Sequence, residues 1–97
     1  MNPLQAETWT KMDKAIVEQR VRNMVRDHAR LKMDVETLEC SADLYMVGMT
    51  SHASVALMLA LENEFELEFP DSLLNRRVFE SIDTIAIAIM SVQQREP

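Results

Sequence analysis

The stretch GMTSHASVALMLALENEFELEFPD, residues 48–71, decides how this 97-residue chain folds. It holds the only glycine, the longest apolar run and a dense patch of acids, and it closes on a proline. Gly48 permits a tight turn. Thr50 is a good helix N-cap, which puts Ser51 in the first helical turn. Pro70 bars a helix from continuing through the loop before it. The stretch therefore reads as a turn, a helix of about four turns and a stop. That helix has two apolar sides. Ser54, Leu57, Met58, Leu61 and Phe65 follow the i, i+3, i+4, i+7 rule and are expected to face a core. His52, Val55, Ala56 and Leu59 fall mostly on another face. In so small a chain a second apolar side is best explained by a partner, with a serine at its head as the place for chemistry.

Outward from this helix, the rest of the chain also reads as helical. Glycine and proline are scarce, and Val, Ile and Thr do not alternate. Residues 1–9 form a flexible start in which Leu4 and Trp9 can pack back on the domain. A first helix is expected from about Thr10 to Arg30, with Val17, Val21, Met24, Val25 and His28 on one stripe. Residues 31–49 then make a long connection, anchored by Val35, Leu38, Leu44, Tyr45 and Val47. After Phe65, Leu67 and Phe69 alternate with Glu66 and Glu68, so the apolar pair turns inward. A short third helix is expected over 72–76, with Leu73 and Leu74 docking. Ser81 is the next N-cap, and Ile82, Ile85, Ala86 and Ile89 form one face of a last helix. The run IDTIAIAIM also alternates, but a lone strand has no partner here. The domain is expected to span 10–92, with 93–97 as a polar tail.

Charge is distributed unevenly behind a net value of −6. Residues 11–32 carry seven Lys or Arg against three acids; residues 33–75 carry nine acids and no Lys or Arg. The acidic half argues against nucleic acid, whose phosphates it repels, and favours a partner with a basic surface. No apolar segment is long enough for a membrane span, and no charged start precedes an apolar run, so neither membrane nor secretion signal is expected. The lone Cys40 offers no disulfide framework and suits a reducing cytoplasm. Neither Cys40 nor His28 has companions at catalytic or metal-ligand spacing. Ser51 and His52 fail as a hydrolytic pair, because neighbours in sequence do not face each other on a helix.

The pattern Gly48-x-x-Ser51, Leu57, Leu61-Glu62-x-Glu64-Phe65-x-Leu67-x-Phe69-Pro70-Asp71 resembles the acyl and peptidyl carrier protein family, over roughly residues 14–90. The variant GMTSHAS is most similar to the small bacterial aminoacyl carrier proteins charged by stand-alone relatives of seryl-tRNA synthetase. The resemblance implies an all-α, acyl-carrier-protein-like four-helix bundle with a long first loop and a short third helix. It implies a non-enzymatic, monomeric carrier whose 4'-phosphopantetheine is attached covalently at Ser51 and holds cargo as a thioester. It implies as partners a phosphopantetheinyl transferase, an amino acid:carrier protein ligase or other acyl-activating enzyme, and a downstream acceptor enzyme.

Two departures matter. Thr50 stands where the family has aspartate, which keeps the cap but removes a negative charge beside the phosphate. Ala53 and Ala56 stand where acids are usual, so docking is expected to rest on His52, Val55, Ala56 and Leu59, with Glu62 at the edge. Within the class the alternative is an acyl carrier for fatty acid, polyketide or specialised lipid synthesis. Outside it, the alternative is an unmodified helical interaction module using the same apolar face.

Overall fold

A computed structural model describes residues 13–95. The described residues form three α-helices and two single turns of 3-10 helix. The helices are α1 (Lys14–His28), α2 (Ser51–Phe65) and α3 (Ile82–Arg95). The 3-10 turns are Val35–Thr37 and Asp71–Leu73. The flexible start expected over 1–9, with Leu4 and Trp9, lies outside the described residues.

α1 is the element the others pack on, most extensively α3 and then α2. It begins at Lys14, where the Asp13 side chain caps it by accepting the Ala15 N–H; the expected start at Thr10 lies outside the described residues. Its stripe is Val17, Val21, Val25 and Ala29, all fully buried, with Met24 and His28 at the margin. Leu44 from the connection, Leu57 and Leu61 from α2, and Ile82, Ile85 and Ile89 from α3 complete the fully buried centre. Two ion pairs tie the helices across their edges. Lys14 Nζ lies 2.8 Å from Asp83 on α3, and that hydrogen-bonded carboxylate holds the ammonium above its ordinary pKa. Arg20 donates through Nε and Nη2 to one oxygen of Glu64 on α2, and stacks over Phe65 at 4.3 Å.

The long connection is held by hydrogen bonds rather than by secondary structure of its own. Arg22 donates through Nη1 to the carbonyls of Val35 and Leu38, the latter at 2.7 Å, and through Nη2 to Cys40 Sγ at 3.3 Å. Further along, Leu44 N–H bonds the Glu80 carbonyl at 2.7 Å, and Asp83 N–H bonds the Cys40 carbonyl at 2.9 Å. Val35, Leu38, Leu44 and Met49 are buried, and Tyr45 and Val47 are partly so.

The short third helix is a single 3-10 turn, and Leu74 is exposed rather than docked; Leu73 alone packs on the core. Pro70 stands before that turn and Asp71, Ser72 and Leu73 complete it; four-residue periodicity has no room to develop. Leu67 and Phe69 turn inward as expected, and Phe69 meets Phe79 edge-to-face with centroids 5.4 Å apart. Ser81 caps α3 by accepting the Thr84 N–H, while Thr84 Oγ1 accepts the Ser81 N–H. α3 continues to Arg95 with Val92 buried, so residues 93–95 are helix rather than tail.

Removing the Arg22 donors strands the Leu38 carbonyl and leaves the Val35 carbonyl with the Leu38 N–H alone. Arg22→Met is expected to cost about 1–3 kcal/mol in urea unfolding, whereas Arg26→Met, at an exposed arginine, is expected to leave the midpoint unchanged. On α2, Leu57→Ala should cost about 2–5 kcal/mol, and Leu59→Ala, at a half-exposed position, less than about 0.5 kcal/mol.

Candidate functional site

Ser51 stands at the end of a chain of local constraints. Asp43 Oδ1 accepts the Tyr45 N–H at 2.9 Å and starts a run of turns. Gly48 closes that run with φ +116°, its N–H bonded to the Tyr45 carbonyl. A Cβ added there would touch nothing within 4 Å, so the position needs glycine for its backbone angle and not for space. Met49 is buried next to it, and its N–H returns to the Leu44 carbonyl at 2.9 Å. Thr50 then caps α2, its Oγ1 accepting the Ala53 N–H at 3.0 Å.

This cap leaves Ser51 as the first residue of α2, exposed, with its hydroxyl in no hydrogen bond among the described residues. The N–H groups of Ser51 and His52 lie before the first intrahelical bond, which Ser54 N–H makes to the Thr50 carbonyl. They carry the positive end of the helix dipole toward any group on the Ser51 oxygen. A phosphodiester fits such a place: the nucleophile is accessible, the backbone offers donors, and the cap is supplied by a neutral threonine. Among the described residues no basic side chain hydrogen-bonds the Ser51 hydroxyl.

Four of the residues expected on the docking face, His52, Val55, Ala56 and Leu59, are exposed, and the long connection does not cover them. Val55 and Leu59 are 54% and 56% exposed, large values for such side chains in the middle of a helix. The opposite stripe is Ala53, Leu57, Leu61 and Phe65. Ala53 is therefore a core residue, and Ser54 and Met58, expected in the core, sit at its margin. The helix is apolar on both sides, so periodicity alone fits either stripe, and packing against α1 selects between them. Ser54 uses its hydroxyl to bond the Ser51 carbonyl at 2.7 Å. Glu62, expected at the edge of the docking face, is half-buried and has an internal task. Its carboxylate accepts the Phe69 N–H at 2.9 Å and its carbonyl accepts the Leu67 N–H, closing a Schellman turn with Glu66 left-handed at φ 52°.

A groove of about 340 Å³ opens beside Ser51. Ser51, Ser54, Val55 and Met58 line it from α2, together with Tyr45 from the connection and Leu74, Asn75, Arg76 and Phe79 from the segment before α3. No sequence pattern marks it, because residues 74–79 join Tyr45 and α2 there only in the folded chain. Among the described residues there is no cluster of His, Cys, Asp or Glu that could hold a metal ion, and no helix long and apolar enough to cross a membrane. Cys40 is a free thiol that accepts from Arg22.

Comparison with known proteins agrees with this geometry. The family model described as "phosphopantetheine attachment site" matches residues 19–88. The aminoacyl carrier protein of Agrobacterium fabrum is 46% identical over 65 residues, which is 67% of this chain and 78% of that protein. Among solved structures, one similar chain comes from a crystal structure of an engineered Bradyrhizobium japonicum glycine:carrier protein ligase complexed with carrier protein from Agrobacterium tumefaciens and ATP. It superposes with a TM-score of 0.73 at 41% identity, covering 75% of this chain and 95% of that one. The solution structure of ATC2521 from Agrobacterium tumefaciens gives a TM-score of 0.65 at 39% identity, covering 79% of this chain and 93% of that one. With an all-helical fold, a family match across most of its length and a capped, exposed serine heading α2, this chain belongs to the phosphopantetheine-binding carrier proteins, which hold a cargo rather than catalyse a reaction.

Proposed function

We propose that Ser51 carries the phosphopantetheine arm and that the arm holds a small amino acid as a thioester. The observation that carries this reading is the placement of Ser51: exposed, first in α2, behind the Gly48 turn and the Thr50 cap. A phosphopantetheinyl transferase supplies the base and the metal. The Ser51 hydroxyl oxygen then bonds the phosphorus of the pantetheine side of coenzyme A, its proton goes to that base, and adenosine bisphosphate leaves. The arm ends in a thiol, and its thiolate takes the aminoacyl group from an aminoacyl adenylate with loss of AMP. The amino acid as cargo, and a separate ligase as its source, are supported by the relative named an aminoacyl carrier protein and by the similar chain crystallised with a glycine:carrier protein ligase.

The exposed side of α2 is the surface offered to that ligase. His52, Val55, Ala56 and Leu59 present it, and Glu62 stands at its edge with one carboxylate oxygen engaged by Phe69. With no acid between Ser51 and Glu62, apolar packing sets the residence time. The acids beyond it assist encounter with a basic partner. A downstream acceptor enzyme takes the cargo from the same arm, and the carrier acts as a monomer in the cytoplasm.

Incubation with coenzyme A, magnesium and a broad-range transferase is expected to add the mass of one phosphopantetheine to the wild type and none to Ser51→Ala. Addition to both would move the attachment point elsewhere. In the modified protein, Leu59→Asp is expected to lower kcat/KM for aminoacyl loading at least about tenfold, the size of a lost interface anchor, with the circular dichroism unchanged. Equal loading of both proteins would remove Leu59 from the docking surface.

A further inference from the structure

The groove beside Ser51 contains one cation, Arg76. Its guanidinium carbon lies 3.8 Å from the centre of the Tyr45 ring, so one face of the group is stacked. Stacking leaves the N–H edge unused, because a guanidinium donates in its own plane. Among the described residues the Arg76 side chain donates no hydrogen bond and forms no ion pair, unlike Arg20, Arg22 and Arg26, whose donors are engaged. None of the residues lining the groove is acidic. Thr50 places no carboxylate beside Ser51 either, and the first N–H groups of α2 add to the positive potential. A cation held by its face, with its donors free, in the same groove as the hydroxyl to be modified, is an arrangement for an oxyanion.

We propose that Arg76 is a positioning residue for the phosphodiester of the arm. It binds a non-bridging phosphate oxygen and directs the first part of the arm along the groove, against Val55 and Met58. This rests on Ser51 being the attachment point. Arg77, the next residue, is exposed and does not line the groove, so it serves as the control for charge alone.

The test compares wild type, Arg76→Gln, Arg76→Lys and Arg77→Gln, each before and after modification. Intact mass comes first: if no phosphopantetheine is added to the wild type, the carrier reading falls and this proposal with it. With the arm attached, the readouts are the phosphorus NMR resonance of the phosphodiester and the Nε–Hε resonance of Arg76. In the wild type, attachment shifts the Arg76 resonance, and raising salt from about 50 to about 500 mM reverses most of that shift. The phosphorus resonance differs from that of the urea-unfolded modified protein. In Arg76→Gln it moves to the unfolded position, Arg76→Lys restores part of the difference, and Arg77→Gln matches the wild type. A merely structural role for Arg76 would alter the unmodified protein and leave the phosphorus resonance in place. A full mass addition, with the Arg76 resonance unmoved and the same phosphorus resonance in wild type and Arg76→Gln, overturns the proposal and leaves the carrier reading standing.

Discussion

A guanidinium on α1 holds the part of this protein that has least structure of its own. Arg22 reaches across to two carbonyls and a sulfur in the connection before α2; the Leu38 carbonyl and the Cys40 sulfur take their hydrogen bonds from it, and the Val35 carbonyl adds it to the Leu38 N–H. A connection of this length is entropically costly to order and gains little from regular backbone pairing. The arginine supplies charge-assisted bonds at its start, and the backbone bonds from Leu44 to Glu80 and from Asp83 to Cys40 lock its later part against the start of α3. Only with the connection fixed do Leu44 and Met49 reach the core, and only then does the turn at Gly48 deliver Thr50 and Ser51 to one place. The place of Ser51 is thus set in part by groups remote from it in sequence, Arg22 and Glu80.

The same economy explains why α2 is apolar on two sides. One side is used inside the domain, where Leu57 and Leu61 meet the α1 valines. The other is left exposed, with Val55 and Leu59 open to solvent. A chain of this size buries a modest fraction of its surface, so an exposed Val and Leu on one helix are a standing cost in solubility. The surrounding acids offset it by repulsion between copies of the chain.

Much of this was legible in the sequence. Caps were read correctly because they depend on one side chain and its nearest N–H groups: Thr50 and Ser81 do what their residue types dictate. The inward turn of Leu67 and Phe69 was equally local. Errors arose where tertiary contact decides. On α2 the expected Leu57, Leu61 and Phe65 are buried, but Ala53 takes the core place expected of Ser54, and Met58 lies at the margin. Glu62 looked like surface charge, and its bond to the Phe69 N–H depends on a turn that only the folded chain makes. The short third helix shrank to one 3-10 turn, and Arg76 carried no signal, because its stacking on Tyr45 joins residues from separate loops.

The single glycine of this chain is spent at residue 48, and the ends of α1 and α2 manage without one. Arg30 and Glu66 take the left-handed conformation themselves, at φ 59° and 52°. For a residue with a Cβ that conformation costs roughly 1–2 kcal/mol, a sizeable part of the marginal stability of a small domain. The protein therefore rests well below the stability its own topology permits. The two strained joints stand at the start of the connection that leads to Ser51 and of the turn that leads to the groove.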